Sequence, residues 1–251
     1  MKTQWDYTDL ADAYIKRPDY SEEAINELFN LTGITQGQFA CDIGAGVGHL
    51  TVHLLKRGLN VVALEPNDAM RRHGIERTAQ FEDVTWLEAA AENTHQDSEA
   101  FRLVTFGSSF NVTDQQVALK ETSRILKPDG WFACMWNHRN LDDAIQAQIE
   151  HIIKNRINDY DYGSRRVEQT SIIDESDLFK QVHKIEGQVK HTQSLLDCKK
   201  AWRSHATLQR QAGDHFENVI QEIDCYLDSL QVESITIPYT TRAWIAQKKS
   251  C

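Results

Sequence analysis

Residues 39–50 read FACDIGAGVGHL, and this stretch decides the fold. The apolar run 39–43 has the length and composition of a buried β-strand, and it stops at a loop that contains Gly44, Gly46 and Gly48. Glycine allows positive φ angles and lets the backbone approach a ligand closely. In open α/β sheets, ligands bind beyond the carboxyl ends of the strands. The stretch therefore predicts a strand, a ligand-binding turn and a following helix.

The same strand-then-helix pattern continues along the chain. Alternation of short apolar runs with helical segments is typical of a doubly wound, mainly parallel sheet of βαβ units. A later strand–helix–strand pattern predicts two more strands, the last of them antiparallel. We therefore expect an α/β fold with a seven-stranded, Rossmann-like sheet and a helical lid. The predicted strands are 39–43, 60–64, 84–87, 101–106, 131–136, 182–189 and 234–246, with helices at 49–57, 67–77, 114–126, 141–158 and 214–230.

The spacing of the glycines indicates which kind of ligand is bound. It is G-x-G-x-G, whereas dinucleotide-binding enzymes carry G-x-G-x-x-G. Asp42 precedes the first glycine by two residues, and Glu65 ends the second strand 17 residues after Gly48. A carboxylate at the Glu65 position can accept hydrogen bonds from both ribose hydroxyls. S-adenosylmethionine (SAM) has a ribose but no pyrophosphate, so it tolerates these carboxylates and is the predicted cofactor.

Four segments resemble motifs of the class I SAM-dependent methyltransferases, in particular the type 11 small-molecule group. They are the glycine motif at 41–50, the ribose motif at 64–70, the adenine-side motif at 88–92 and the turn RILKPDG at 124–130. The similarity covers almost the whole chain. It implies that SAM is bound by Asp42, Gly44, Ala45, Gly46, Gly48, Glu65, Pro66, Met70, Ala90, Ala91, Glu92 and Phe106.

The two ends of the chain resemble one subgroup, the trans-aconitate-type methyltransferases. Residues 11–20 are similar to its N-terminal segment, and residues 238–242 are similar to its last strand. In relatives the N-terminal segment folds over the cofactor. The resemblance therefore makes Tyr14 and Arg17 candidates for the methionine end, with Arg17 pairing with the carboxylate. The alternative is that Arg17 only anchors an N-terminal helix.

The resemblance also implies how the chain is divided. Residues 1–251 form a single methyltransferase domain with a SAM-binding core at 37–137. Residues 1–36 form an N-terminal helical lid segment, and 138–181 and 195–230 supply helices over the substrate.

Methyl transfer from a sulfonium is an in-line displacement, so the enzyme mainly aligns the acceptor and excludes water. A general base is needed only where the acceptor must lose a proton. His138, directly after the fifth strand, is the candidate base; the alternative is that it only occupies a loop position. The predicted substrate contacts are Asn111, Trp136, Arg139 and Trp202.

The composition indicates which kinds of partner to expect. The net charge is −10, and no basic stripe of the kind that binds nucleic acid is present. No apolar run reaches the roughly 18 residues that span a bilayer, and the N-terminus lacks the apolar core of a signal peptide. The five cysteines show no metal-binding spacing. We expect a cytoplasmic monomer or homodimer that acts on a small molecule, without nucleic acid, membrane or metal.

Three alternatives remain. A nicotinamide-dependent dehydrogenase would need the other glycine spacing. A nucleic-acid methyltransferase acting on base amino groups would carry Asp/Asn-Pro-Pro-aromatic after the fourth strand, where residues 106–110 read FGSSF instead. A SAM-binding protein without transferase activity is left open by departures from the family pattern. These departures are Val47 for Thr, Ala90 and Arg102 for Asp, and Asn111-Val112 for His-Trp.

Overall fold

Seven strands form one sheet in the computed structural model, which describes residues 11–161 and 166–250. Short apolar runs bounded by glycine or polar residues produce most of these strands, as the sequence predicts. In chain order they are β1 (Phe39–Ile43), β2 (Asn60–Leu64), β3 (Val84–Leu87), β4 (Phe101–Gly107), β5 (Leu126–Arg139), β6 (His183–Ser194) and β7 (Ser234–Gln247).

The sheet is mainly parallel and has the spatial order β3-β2-β1-β4-β5-β7-β6. Only β7 runs against its neighbours, pairing antiparallel with both β5 and β6. This confirms the predicted seven-stranded sheet with an antiparallel last strand. The strand order reverses between β1 and β4, which pair side by side at Cys41 and Val104. A ligand is expected beyond the carboxyl ends of these two strands.

Two of the predicted helices begin at residues whose side chains cap the first turn. Asn67 and Asp114 accept hydrogen bonds from the backbone amides three residues ahead and so stabilise the starts of two helices. The segment 89–100, between the third and fourth strands, contains no helix. The helices are α1 (Ala11–Ile15), α2 (Glu22–Thr32), α3 (His49–Lys56), α4 (Asp68–Arg77), α5 (Gln115–Ile125), α6 (Ala144–Arg156), α7 (Thr170–Glu175), α8 (Leu195–Arg203), α9 (Ala206–Ala212) and α10 (Phe216–Ser229).

Beyond the end of β5, strands β6 and β7 continue together as a two-stranded ribbon. The pairing of β5 with β7 stops at Arg139 and Tyr239, whereas β6 and β7 remain paired to Ser194 and Ser234. Pro238 lies where β7 has lost its β5 neighbour, which is the locally edge-like position that proline tolerates.

The ribbon carries a separate hydrophobic cluster with the helices that follow it. Ile235 and Ile237 of β7 are buried there with residues of α6, α8 and α10. This cluster is distinct from the two that cover the faces of the sheet. The ribbon and its helices therefore form a cap at the carboxyl end of the sheet.

Two strands differ from their predicted bounds by more than one residue. β6 extends to Ser194, five residues past the predicted end, as half of the ribbon. β5 begins at Leu126, directly after α5, and includes an irregular stretch in which Asp129 has φ 57°. None of the described helices is long and apolar enough to cross a membrane.

Candidate functional site

The glycine loop turns sharply between β1 and α3. Gly44, Gly46 and Gly48 all have positive φ angles, of 64°, 58° and 83°. A Cβ atom added to Gly44 would lie 2.5 Å from the Cβ of Ser109, whose hydroxyl donates a 2.6 Å hydrogen bond to the carbonyl of Ile43. Only glycine fits at position 44, because both the backbone angle and the space exclude a side chain.

Glu65 follows β2 and reaches the glycine loop. Its Oε2 accepts a hydrogen bond from the amide of Gly46, and its Oε1 accepts one from the amide of Asn67, both at 2.8 Å. The residue is 7% exposed. Burial raises the pKa of the Glu65 carboxyl, and the two backbone hydrogen bonds oppose that rise. The carboxylate lies at the cavity described below, where a ribose could bind.

Asp42 lines the same cavity, but its carboxylate is held inside the protein. Oδ2 accepts a 2.7 Å hydrogen bond from the hydroxyl of Thr51, and Oδ1 accepts a 2.8 Å bond from that of Thr105. Burial raises the pKa of Asp42 to about 6, against the lowering effect of the two threonines. The side chain therefore joins β1 to α3 and β4.

Met70 and Glu92, two of the residues that the resemblance assigns to SAM, both line the cavity. Met70 packs with Ala11 and Val47 in a small hydrophobic cluster that also contacts Tyr14. Glu92 lines the cavity, and its Oε1 accepts a 2.8 Å hydrogen bond from the amide of Asp114, the N-cap residue of α5. The glutamate thus fixes the loop after β3 to the start of α5.

Residues 14–21, which we call the N-terminal strap, cross the carboxyl ends of the strands. The Asn137 side-chain amide donates to the carbonyls of Pro18 and Asp19 at 3.1 and 3.0 Å, and its Oδ1 accepts from Thr241. Tyr20 forms a 3.0 Å hydroxyl–hydroxyl hydrogen bond with Ser108. The strap is therefore tied to β4, β5 and β7.

Tyr14 and Arg17 of the strap line the cavity beside the glycine loop. The Arg17 guanidinium carbon lies 3.5 Å from the centre of the Tyr14 ring, a cation–π contact. The strap is thus in a position to cover a ligand in the glycine loop, as the resemblance implies for this segment.

The far end of the cavity lies under the cap. His138 and Arg139, at the end of β5, line it together with Tyr239 of β7. The Arg139 guanidinium carbon lies 4.2 Å above the Trp202 ring, and Trp202 also stacks on His205 with 5.4 Å between ring centres. Trp202 supports two lining residues from behind.

One cavity of about 840 Å³ joins these parts. That volume lies toward the upper end of the roughly 300–1,000 Å³ typical of ligand pockets. Sixteen of the nineteen predicted site residues line it: Tyr14, Arg17, Asp42, Gly44, Ala45, Gly46, Glu65, Pro66, Met70, Ala90, Ala91, Glu92, Asn111, Trp136, His138 and Arg139.

The other three predicted residues do not line the cavity. Phe106 is completely buried against Phe110 and Phe132 in the sheet core, with ring centres 5.2 and 5.7 Å away. Gly48 is the N-cap of α3 and faces Trp86. Trp202 is buried, and Arg139 and His205 lie against its ring. In each case packing between elements, which a local motif does not reveal, decides the position.

Several lining residues were not predicted as site residues. Ser109 follows β4, and Asn137 lies between two residues that were predicted. His191 and Gln193 lie on the β6 extension and face the cavity. On β6 these two residues alternate with exposed ones, as in any strand that is half buried. The sequence does not show this alternation as an apolar–polar pattern, because the inward side chains are also polar. Among the described residues, no cluster of His, Cys, Asp or Glu could hold a metal ion.

Comparison with known proteins finds a methyltransferase match over part of the chain. Residues 41–134 match the family model described as a methyltransferase domain. An uncharacterised methyltransferase of Mycobacterium tuberculosis is 33% identical over 124 residues, which cover 49% of this chain and 48% of that protein. The chain thus spans about half the length of the curated relatives that it matches first.

Solved structures share the fold. A candidate type II methyltransferase from Anaeromyxobacter dehalogenans aligns with a TM-score of 0.65 at 14% identity, over 92% of this chain and 97% of that one. Phosphoethanolamine N-methyltransferase 2 of Haemonchus contortus, solved with phosphomonomethylethanolamine and S-adenosylhomocysteine, aligns with a TM-score of 0.56 at 15% identity, over 96% of this chain and 57% of that one.

These findings agree with the geometry of the site. Residues 41–134 are similar to a methyltransferase domain, and the solved structures share the fold of this chain. The trans-aconitate subgroup stays a prediction.

Proposed function

We propose that this protein transfers the methyl group of SAM to a small organic molecule bound under the cap. The observation that supports this most is the continuity of the cavity, which runs from the glycine loop and Glu65 to Trp136, Arg139 and Tyr239. A donor and an acceptor bound in one enclosed space can meet in the in-line geometry of the displacement. Such alignment contributes on the order of 7–11 kcal/mol to catalysis.

In this proposal the ends of the cavity have different tasks. The backbone of the glycine loop and Glu65 hold the nucleoside, while the strap and the cap helices exclude water. SAM supplies the activated methyl carbon. His138, 7% exposed on the cavity wall, removes a proton where the acceptor must lose one.

The acceptor end supports a small molecule with polar or aromatic groups. Trp136 donates its indole N–H to Oδ1 of Asn111 at 3.0 Å, so two predicted substrate residues form one wall. The guanidinium of Arg139, held over Trp202, offers planar donors for a carboxylate and a face for a ring. The net charge of −10 disfavours nucleic acid as the acceptor. We expect the protein to act as a monomer or homodimer.

The test is transfer of tritium from methyl-labelled SAM to a bacterial lysate separated into small-molecule and macromolecular fractions. We expect label in the small-molecule fraction, and much less label with the Glu65→Ala variant. Label confined to protein or RNA would contradict the small-molecule acceptor. Binding of S-adenosylhomocysteine without label in any fraction would favour a SAM-binding protein that lacks transferase activity.

A further inference from the structure

His49 joins the glycine loop to the N-terminal strap. It is the first residue of α3, directly after Gly48, and its side chain is 13% exposed. Nδ1 lies 2.7 Å from a carboxylate oxygen of Asp19, and Nε2 lies 2.9 Å from the carbonyl oxygen of Tyr14. The imidazole thus bridges the two ends of the strap segment 14–19.

Both partners of the His49 ring are hydrogen-bond acceptors. A backbone carbonyl cannot donate, and an ionised carboxylate cannot donate either. Burial alone would raise the pKa of Asp19, but the hydrogen bond from His49 and the charges of His49 and Arg77 lower it to about 2, so Asp19 is a carboxylate at neutral pH. A neutral imidazole has one N–H and satisfies one of the two acceptors. Only the doubly protonated imidazolium donates to both.

The other charged groups around this bridge come from four elements. Arg77 of α4 donates to the same Asp19 oxygen at 2.5 Å. His53 lies one turn further along α3, and it pairs with Glu22 of α2 at 3.1 Å. His191 of β6 interacts with Asp19 and His49 and hydrogen-bonds to the backbone of Lys16. Asp19 is therefore the carboxylate that favours a cationic His49, whereas Arg77 and the other two histidines oppose it.

We propose that His49 is a positioning residue which, as an imidazolium, fastens the strap over the SAM bound in the glycine loop. This inference rests on the proposed use of that loop for SAM. It adds a link between cofactor affinity and protonation. Only the cation donates to both Asp19 and Tyr14, so fastening of the strap is expected to weaken as the pH rises. Cofactor binding weakens in that direction.

The test compares affinities for S-adenosylhomocysteine by calorimetry between about pH 6 and pH 8. His49→Gln has no charge and cannot donate from two opposite edges. We expect it to bind about tenfold more weakly than wild type at pH 6, and the difference is expected to shrink severalfold by pH 8. The ratio of the two dissociation constants removes the titration of the ligand, which is the same for both proteins.

Two further variants separate the bridge from a folding defect. Asp19→Asn breaks the same contact from the strap, so the double variant is expected to bind about as weakly as either single variant rather than a hundredfold more weakly than wild type. His151→Gln removes an exposed histidine of α6 that pairs with Asn155, and it is expected to follow wild type at every pH. Circular dichroism checks that each variant is folded.

Equal affinity of His49→Gln and wild type at pH 6, or a constant ratio across the pH range, would overturn the inference. So would additive losses in the double variant. Failure of wild type to bind S-adenosylhomocysteine at any pH would instead contradict the proposed function, so the two failures are distinguishable.

Discussion

The carboxylate of Glu65 accepts a hydrogen bond from the amide of Gly46, although 19 residues separate them in the chain. The contact joins the end of β2 to the turn after β1, and β1 and β2 are neighbouring strands. The other carboxylate oxygen of Glu65 accepts a hydrogen bond from the amide of Asn67. One side chain therefore fixes the shape of the glycine loop and, in the proposed function, also places a carboxylate beside the ribose of SAM. Loss of Glu65 affects both tasks.

Gly44→Ala is expected to destabilise the protein strongly. The added Cβ would meet Ser109 at 2.5 Å in a backbone with φ 64°. Gly33→Ala is the matched control, because Gly33 has φ 62° and nothing within 4 Å of the added atom. We expect the control to lower the free energy of unfolding by about 1 kcal/mol and Gly44→Ala to lower it by on the order of 3 kcal/mol, measured by urea unfolding. Equal losses would show that Ser109 does not restrict the loop.

Asp42→Asn is expected to change how stability depends on pH. Burial raises the folded-state pKa of Asp42 to about 6, whereas an unfolded aspartate titrates near roughly 3.9. The folded protein therefore binds an extra proton between these values, and the contribution of Asp42 to stability falls as the pH rises from about 4 to 6. The asparagine variant does not lose stability in this way, because asparagine does not ionise.

Urea unfolding of wild type and Asp42→Asn at several pH values measures the effect. The stability of the variant relative to wild type should increase by about 2–3 kcal/mol between pH 4 and pH 7. Asp68→Asn, at a side chain that is 77% exposed, is the control. A difference between Asp42→Asn and wild type that does not change with pH would contradict the buried, ionisable Asp42 described above.

Asn137→Asp is expected to loosen the strap. The substitution replaces a donor to the carbonyls of Pro18 and Asp19 with a carboxylate oxygen that repels them. Hydrogen exchange measured by mass spectrometry should be at least fivefold faster in peptides covering residues 14–21, with weaker binding of S-adenosylhomocysteine. Asn155→Asp on the exposed side of α6 should leave both unchanged. Unchanged exchange in the strap would mean that Asn137 does not hold it.

The fold around the cofactor loop could be predicted because its signals are local. The apolar run 39–43, the glycines after it and the caps at Asn67 and Asp114 each specify their own element. The extension of β6 could not be predicted, because its inward side chains past Val189 are His191 and Gln193. These face a ligand cavity rather than a hydrophobic core, so the expected apolar alternation is missing.

The site could likewise be predicted where local motifs place its residues, but not where packing between distant elements does. Residues of the glycine and ribose motifs meet because parallel strands end at one edge of the sheet. The positions of Phe106 and Trp202 depend on which face of a strand or helix packs against another element. Hydrogen bonds such as that from Asn137 to Asp19 join residues that are 118 positions apart in the sequence, and no local sequence pattern predicts them.

Trp202→Leu is expected to reduce methyl transfer more than cofactor binding. Trp202 is 2% exposed and supports Arg139 and His205 at the acceptor end, away from the glycine loop. We expect a loss of about 2–4 kcal/mol in stability, binding of S-adenosylhomocysteine within about threefold of wild type, and at least tenfold slower transfer. Trp131→Leu, outside the cavity, controls for stability alone. Loss of cofactor binding in folded Trp202→Leu would contradict the division of the cavity.

The most direct measurement of the central claim is calorimetric titration of S-adenosylhomocysteine into wild type, Glu65→Ala and the control Glu76→Ala, whose side chain is 77% exposed on α4. We expect micromolar binding to wild type and the control, and at least tenfold weaker binding to Glu65→Ala, because the ribose partner and the support of Gly46 are both lost. Absence of binding to wild type, or equal affinity in Glu65→Ala, would contradict the placement of SAM in this cavity.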